Sequence, residues 1–278
     1  MSQTDQRAQA ERFRALHQAP PILILMNAWD AASARIAEAS GFPAVATSSA
    51  GIANALGYPD GEKLPLDAHL AMVRHVVRAV RVPVSVDFEA GYSNTPAQVA
   101  ENCRKLLGTG AIGINLEDGT SDPQRLVEPS LHVAKIRAIL EMSAAFGVPL
   151  VINARTDVYL NAVGEPHSRF EHAVRRANAY RDAGADCLFV PGVSDLPTID
   201  RLTKSIRGPL NVLAVAASPP IRELEKAGVA RVSLGSGPMR ATLSVLRRIA
   251  DELKQTGTYR AFTEGAMTYA EANQLFRS

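Results

Sequence analysis

Short apolar runs, many of them β-branched, alternate along this chain with longer stretches whose apolar positions recur every three or four residues. Eight of the short runs read as strands, at 22–26, 44–47, 82–87, 113–116, 149–153, 187–190, 211–215 and 232–234. Their unbroken apolar character suits strands covered on both faces, as in a parallel sheet flanked by helices. Between them the helical period appears. From Asp67 to Arg78, Leu70, Val73, Val76 and Val77 fall on one face and Arg74 and Arg78 on another. Thr95 before Pro96 predicts a capped helix start. At three helix-to-strand joins a glycine (Gly41, Gly184, Gly228) stands where a left-handed C-cap turns the chain back.

Eight such units in series leave a closed barrel or a large open sheet. No Gly-rich GxGxxG turn follows the first strand, which favours the barrel. The expected fold is an α/β (β/α)8 TIM-type barrel over residues 1–255, followed by a C-terminal helical tail at 256–278. Within that tail, Thr268 to Glu271 reads as a capping box opening a last helix.

Composition narrows the function classes. The 278 residues suffice for one barrel, and 46% hydrophobic with 21% charged residues is ordinary for a globular chain. Thirty basic against 28 acidic residues, with no basic stripe, point to no nucleic acid and no membrane surface as partner. Cys103 and Cys187 lie far apart, which argues against a disulfide framework or a zinc site. The polar amino terminus lacks the apolar core of a signal peptide, and no run is long enough to cross a bilayer. A soluble cytoplasmic protein is expected.

In a barrel of this kind the chemistry collects where strands end. Here the strand ends carry Asn27-Ala-Trp29-Asp30, Thr47-Ser48-Ser49-Ala50-Gly51, Asp87-Phe-Glu89, Glu117-Asp118 and Asn153-Ala-Arg155-Thr-Asp157. Asp87 and Glu89, two apart, would face the same way on an extended strand. Converging carboxylates repel unless neutralised, and an oxygen-liganded Mg²⁺ or Mn²⁺ does so. The alternative is that Asp87 and Glu117 cap helices or pair with Arg155. Ser48, Ser49 and the backbone through Ala50 and Gly51 could donate to a small carboxylate, and Arg155 offers a planar fork for the same task. Polar turns and a structural ion pair are the alternatives there. The turn at Gly235-Ser-Gly237 reads as a tight connection or as a phosphate-binding turn. None of the six histidines falls at a strand end, so none is expected to be a catalytic base.

Taken together, Asn27-Ala-Trp29-Asp30, Thr47-Ser-Ser-Ala-Gly51, Asp60-Gly-Glu62, Val86-Asp-Phe-Glu-Ala-Gly-Tyr-Ser93, Leu116-Glu-Asp118 and Ile152-Asn-Ala-Arg-Thr-Asp157 resemble the isocitrate lyase/phosphoenolpyruvate mutase superfamily, in order over roughly residues 20 to 240. The resemblance implies that Asp87 touches a Mg²⁺ and that Asp60, Glu89 and Glu117 hold it directly or through water. It implies that Trp29, Ser48, Ser49, Ala50, Gly51 and Arg155 surround a 2-oxo or 2-hydroxy carboxylate, with Asn211 at its far end and Arg155 and Glu117 acting on it. It also implies a homo-oligomer, a dimer or tetramer, in which the tail passes between subunits.

The chain departs from that family in one loop. Lyases of the family carry K-[KR]-C-G-H shortly after strand four; here residues 119–128 contain no Cys, and Arg125 is the loop's only cation. The Lys and Asn of the phosphonate-handling branch are missing there too. The expected activity is therefore a Mg²⁺-dependent C–C lyase that needs no strong acid in this loop, as oxaloacetate decarboxylation would be. Water or Tyr58 would quench the pyruvate enolate. The alternatives are a P–C bond enzyme of the mutase or phosphonopyruvate hydrolase type and a barrel that binds an oxo acid without turnover.

Overall fold

The computed structural model describes residues 2–18 and 20–277. Eight parallel strands close in sequential order: β1 (Leu23–Ala28), β2 (Val45–Thr47), β3 (Val84–Asp87), β4 (Gly113–Glu117), β5 (Val151–Arg155), β6 (Cys187–Phe189), β7 (Leu210–Leu213) and β8 (Arg231–Ser233). Pairing of β8 with β1 seals the barrel. All eight expected strands are present in order, with shifted ends. The third starts only at Val84, because Pro83 has no N–H to give to a ladder. The fifth lies two residues further along than expected, which carries Arg155 onto the strand itself, opposite Glu117. The seventh ends at Leu213, where Val215 N–H leaves the ladder for Ser218 Oγ.

The helices are α1 (Gln3–Ala15) before the barrel, then α2 (Ala31–Ala39), α3 (Ser49–Ala55), α4 (Leu66–Ala79), α5 (Pro96–Leu107), α6 (Pro129–Phe146), α7 (Arg169–Asp182), α8 (Leu196–Ser205), α9 (Ile221–Lys226) and α10 (Gly237–Gln255). Helix α4 buries the four residues its pattern assigns to the core and exposes Arg74 and Arg78. Gly41, Gly184 and Gly228 all take positive φ, as the three joins require. Thr95 precedes α5, but its side chain makes no capping hydrogen bond. Among the described residues no helix is long and apolar enough to cross a membrane.

Helix α1 covers the amino-terminal end of the barrel. Its Phe13 is fully buried and reaches β4, where a Cβ on Gly113 would stand 2.9 Å from the ring. Only glycine admits that ring at this position. Beyond α10 the chain forms α11 (Arg260–Thr263) and α12 (Tyr269–Gln274), the latter opened by the expected capping box at Thr268 and Glu271.

Three buried histidines, His17, His69 and His132, are pushed below the usual imidazole range by burial. His17 is pushed down to about 3 by burial and by Arg231, and His132 to about 4 by burial. Both ring nitrogens of His132 lack hydrogen-bond partners, and its ring lies 4.3 Å from that of Tyr180. A histidine with a depressed folded-state pKa stays neutral while its unfolded counterpart takes a proton, so stability falls as pH drops from about 6.5 toward 4. Urea midpoints should therefore be lower at pH 5 than at pH 7. His132→Phe should fold at least as stably at pH 7 and show a smaller drop, because two unpaired buried nitrogens disappear while the ring contact remains.

Candidate active site at the carboxyl ends of the strands

Register sets the polar rows inside the barrel. Asp87 stands opposite Asn115, and Asn115 opposite Asn153. Residues opposite one another share a face. Their side chains accordingly link in series: Asn153 Nδ2 donates to Asn115 Oδ1 and Asn115 Nδ2 to Asp87 Oδ1, each at 2.9 Å. The carboxylate accepts only, which orients both amides and leaves Asn153 Oδ1 buried without a donor. The other oxygen of Asp87 accepts from Ser49 N–H at 3.0 Å and Ser49 Oγ at 2.8 Å. Ser49 Oγ also lies 3.2 Å from Asp60 Oδ1.

One step around the barrel, Arg155 is held between acids. Nη1 is 2.8 Å from Glu117 Oε2, while Nε and Nη2 fork onto Asp157 at 2.5 and 3.0 Å. Burial works against the guanidinium, but Glu117 and Asp157 keep it charged. Asp157 N–H is fixed in turn by Asp118 Oδ1 at 3.0 Å. The fully buried Asp118 takes Arg176 at 3.0 Å and Tyr180 OH at 2.6 Å on its other oxygen. Arg176 also grips Val127 O, and Val127 N–H returns to Asp118 O, so both ends of the 119–128 loop are tied to this pair.

Asp87, Asp60, Ser48, Ser49, Ala50 and Arg155 line one cavity of about 150 Å³, with Phe189, Pro191, Leu160 and Leu213 as an apolar wall. A cavity of that size admits a molecule about as large as benzene, which suits a small organic acid. Other expected site residues lie elsewhere. Glu89 follows the end of β3 with φ +50, so the alternation of an extended strand does not apply to it. Its carboxylate turns to Glu62 N–H at 2.6 Å and Tyr92 OH at 3.3 Å. Glu117 is committed to Arg155. Trp29 packs against Gly51, whose missing Cβ would stand 2.8 Å from the Trp29 Cβ, and neither lines the cavity. Tyr58 is 40% exposed and outside the cavity, as is Arg125. Asn211 is fully buried in the bore and bonded to Ser233 at 3.0 Å, so its amide does not face the mouth.

Ser48 caps α3 through Gly51 N–H at 3.2 Å, and Ser49 is taken by Asp87. Among the described residues, two of the donors expected at this turn, Ala50 N–H and the Ser48 hydroxyl, donate to no partner in the chain. Gly235 N–H donates to Asn27 Oδ1 at 3.0 Å, so that glycine turn serves as a connection. Sequence reasoning missed Asn115, a polar residue inside the expected fourth strand, and Arg231, which fell just before the expected eighth strand, and it gave Asn153 no role although the residue stood at a quoted strand end. It also passed over Asp118 and Asp157, although both stood in the quoted motifs.

Among the described residues, no three His, Cys, Asp or Glu side chains stand in metal-binding geometry. The donor set nevertheless suits a hard cation that keeps much of its water, as Mg²⁺ does. Burial and the neighbouring charge of Asp87 raise the Asp60 carboxyl and push Glu89 up to about 7. A cation among these acids relieves that repulsion.

The closed parallel barrel thus carries an acid cluster and a doubly paired arginine at its carboxyl end. The phosphoenolpyruvate phosphomutase family profile matches residues 13–254, and the chain belongs to that family, within the isocitrate lyase/phosphoenolpyruvate mutase superfamily of lyases and mutases. A solved Burkholderia cenocepacia J2315 protein, described provisionally as a lyase/mutase, is 35% identical with a TM-score of 0.91, covering 99% of this chain and 98% of that one. The oxaloacetate decarboxylase of Rhodopseudomonas palustris BisB5 is 33% identical over 202 residues, 70% of this chain and 65% of its own. A phosphonopyruvate hydrolase solved with oxalate and Mg²⁺ is 25% identical with a TM-score of 0.84, covering 96% and 94%.

The buried Asp118–Arg176 pair generates a stability prediction. Asp118→Ala strands a charge that is 6% exposed, so urea unfolding should show a loss of about 3–5 kcal/mol.

Proposed function

We propose that this protein is a Mg²⁺-dependent lyase that cleaves a C–C bond of a small 2-oxo or 2-hydroxy carboxylate through a pyruvate-type enolate. The observation that carries this is the convergence of Asp87, Ala50 N–H and Arg155 on one small cavity. Asp87 and Asp60, with Glu89 behind them, would hold the cation directly or through water. Glu117 would act by holding Arg155. A bound Mg²⁺ supplies Lewis-acid stabilisation of negative charge on the substrate oxygens.

The chain's own groups do the rest. Asp157 takes two of the five N–H donors of Arg155, which leaves others for the substrate carboxylate or the enolate oxygen. Ala50 N–H donates to a carboxylate oxygen of the substrate. Phe189, Leu160 and Leu213 form the apolar side of the same cavity. In a decarboxylation the C–C electron pair passes to the 2-oxo group as carbon dioxide leaves, and a proton from water then returns to carbon. No acid is required in the 119–128 loop, which fits its lack of Cys and the outward position of Arg125. The likeness to an oxaloacetate decarboxylase supports this branch, and the Mg²⁺–oxalate complex of a relative supports the cation. Two free, buried thiols are compatible with the cytoplasmic setting we assign to it.

The tail at 256–278 and the exposed apolar face of α10, with Leu243, Leu246 and Leu253 between 42% and 56% exposed, are assigned to a homo-oligomer interface beside the 1–255 barrel. Light scattering should give a dimer or tetramer for the wild type and a smaller species for Leu246→Glu. A monomeric wild type would contradict the assignment.

The activity test is pyruvate release from oxaloacetate, malate-type acids and phosphonopyruvate, with Mg²⁺ and with chelator. We expect metal-dependent release from a C–C substrate, and Asp87→Ala should lower kcat/KM by about a hundredfold or more with the urea midpoint retained. Turnover of phosphonopyruvate alone would favour P–C chemistry, and no turnover a binding role. Failure of Asp87→Ala to fold would show that Asp87 is structural.

A further inference from the structure

The cavity does not stop at Asp87 and Arg155. Its lining continues down the bore through Asn115, Asn153 and Ser233 to Arg231, the first residue of β8. Arg231 is 2% exposed, and the Asp87 carboxylate favours its charge without pairing with it. Nε reaches Ser233 Oγ at 3.3 Å, the guanidinium lies 6.0 Å from the Phe13 ring, and Nη1 is buried with no hydrogen-bond partner. Among the described residues no carboxylate forms an ion pair with it.

Two titratable groups that act on it, His17 and Cys187, are held neutral. His17 is held deprotonated by burial and by Arg231 itself, and burial pushes the Cys187 thiol up to about 12. Burial lowers Arg231 only to about 10, so it keeps its charge at neutral pH. The contrast with the two other buried arginines is direct: Arg155 has Glu117 and Asp157, and Arg176 has Asp118. A buried cation without a partner is costly, and an anion entering the cavity is the one group that could offset it. The orphan acceptor Asn153 Oδ1 repels a carboxylate on its own side, which leaves the Arg231 and Ser233 side for the anion.

We propose that Arg231, with Ser233, forms a subsite for the distal carboxylate of a dicarboxylic acid whose other end lies at Asp87 and Arg155. This rests on the proposed metal-dependent acid site and adds to it a substrate class: four-carbon diacids in preference to monocarboxylic acids. A free inorganic anion such as chloride shares the same chemistry and is the competing occupant.

Lactate and malate have the same 2-hydroxy acid head and differ in the distal carboxylate. Calorimetric titration of each into the full-length, Mg²⁺-loaded protein, in chloride-free buffer, therefore reads the subsite. Wild type should bind malate tighter by at least about tenfold, the smallest gain expected of a charge-assisted hydrogen bond. Arg231→Met should lose that preference and keep its lactate affinity. Its ligand-free Tm should not fall, because an unpaired charge is removed.

Equal affinities in the wild type overturn the inference while leaving the metal–acid site standing. Binding of neither acid overturns both. A malate preference that survives Arg231→Met, or a lower Tm with both affinities weakened alike, would assign Arg231 a structural role instead. A Tm rise with added chloride in the wild type only, without malate preference, would assign the pocket to an inorganic anion.

Discussion

The carboxylate of Asp87 receives two hydrogen bonds from Ser49 and one from Asn115, and its charge reaches almost every functional group at the barrel mouth. It raises Asp60 and Glu89, opposes the ionisation of Tyr92, and favours the charge on Arg155 and Arg231. Because a carboxylate accepts and never donates, it also sets the orientation of the Asn115 and Asn153 amides below it. The direction of a polar row running into the bore therefore follows from one carboxylate. The same field makes the acid cluster costly by itself and receptive to a hard cation.

A second chain of charges supports the first. Glu117, Arg155, Asp157, Asp118 and Arg176 follow one another across the ends of β4 and β5 and onto α7, alternating in sign except where Asp157 N–H joins Asp118. Its outer end holds both ends of the 119–128 loop, and its inner end aims Arg155 into the cavity. Loop and guanidinium are thus positioned by one buried network. The loop is further closed by the Gly119–Leu126 bridge and by Thr120 Oγ1 on two carbonyls of its own. A loop organised by its own backbone contacts has little need of a reactive side chain, which agrees with chemistry centred on the strand ends.

The barrel was legible because its signals are local. Apolar runs, amphipathic periods and the turn glycines each state their element without reference to the rest of the chain. Asp87, Ser49 and Arg155 were legible for a related reason: a polar residue just past an apolar strand has few structural explanations in this architecture. What the sequence did not show is tertiary. The direction of the Glu89 side chain was not legible because its backbone turns left-handed immediately after β3, a conformation its residue type does not announce. Tyr58 was offered as a nearby proton source and Asn211 by resemblance; loop path and strand depth put the first on the surface and the second in the bore. Arg231 was overlooked because it stood just before the expected strand 232–234, where a cation reads as an exposed strand start, while the closed barrel buries it as the first residue of β8.

Those observations make one central claim: the acids at the mouth form a cation-dependent site for a planar 1,2-dioxygen ligand, with Arg155 on its other side. Oxalate affinity, measured by calorimetry on the purified chain with Mg²⁺ and again after chelation, tests it most directly. The account predicts binding that requires Mg²⁺ and is lost in Asp87→Ala. Oxalate binding of equal strength with and without Mg²⁺, or no binding in either state, would contradict it.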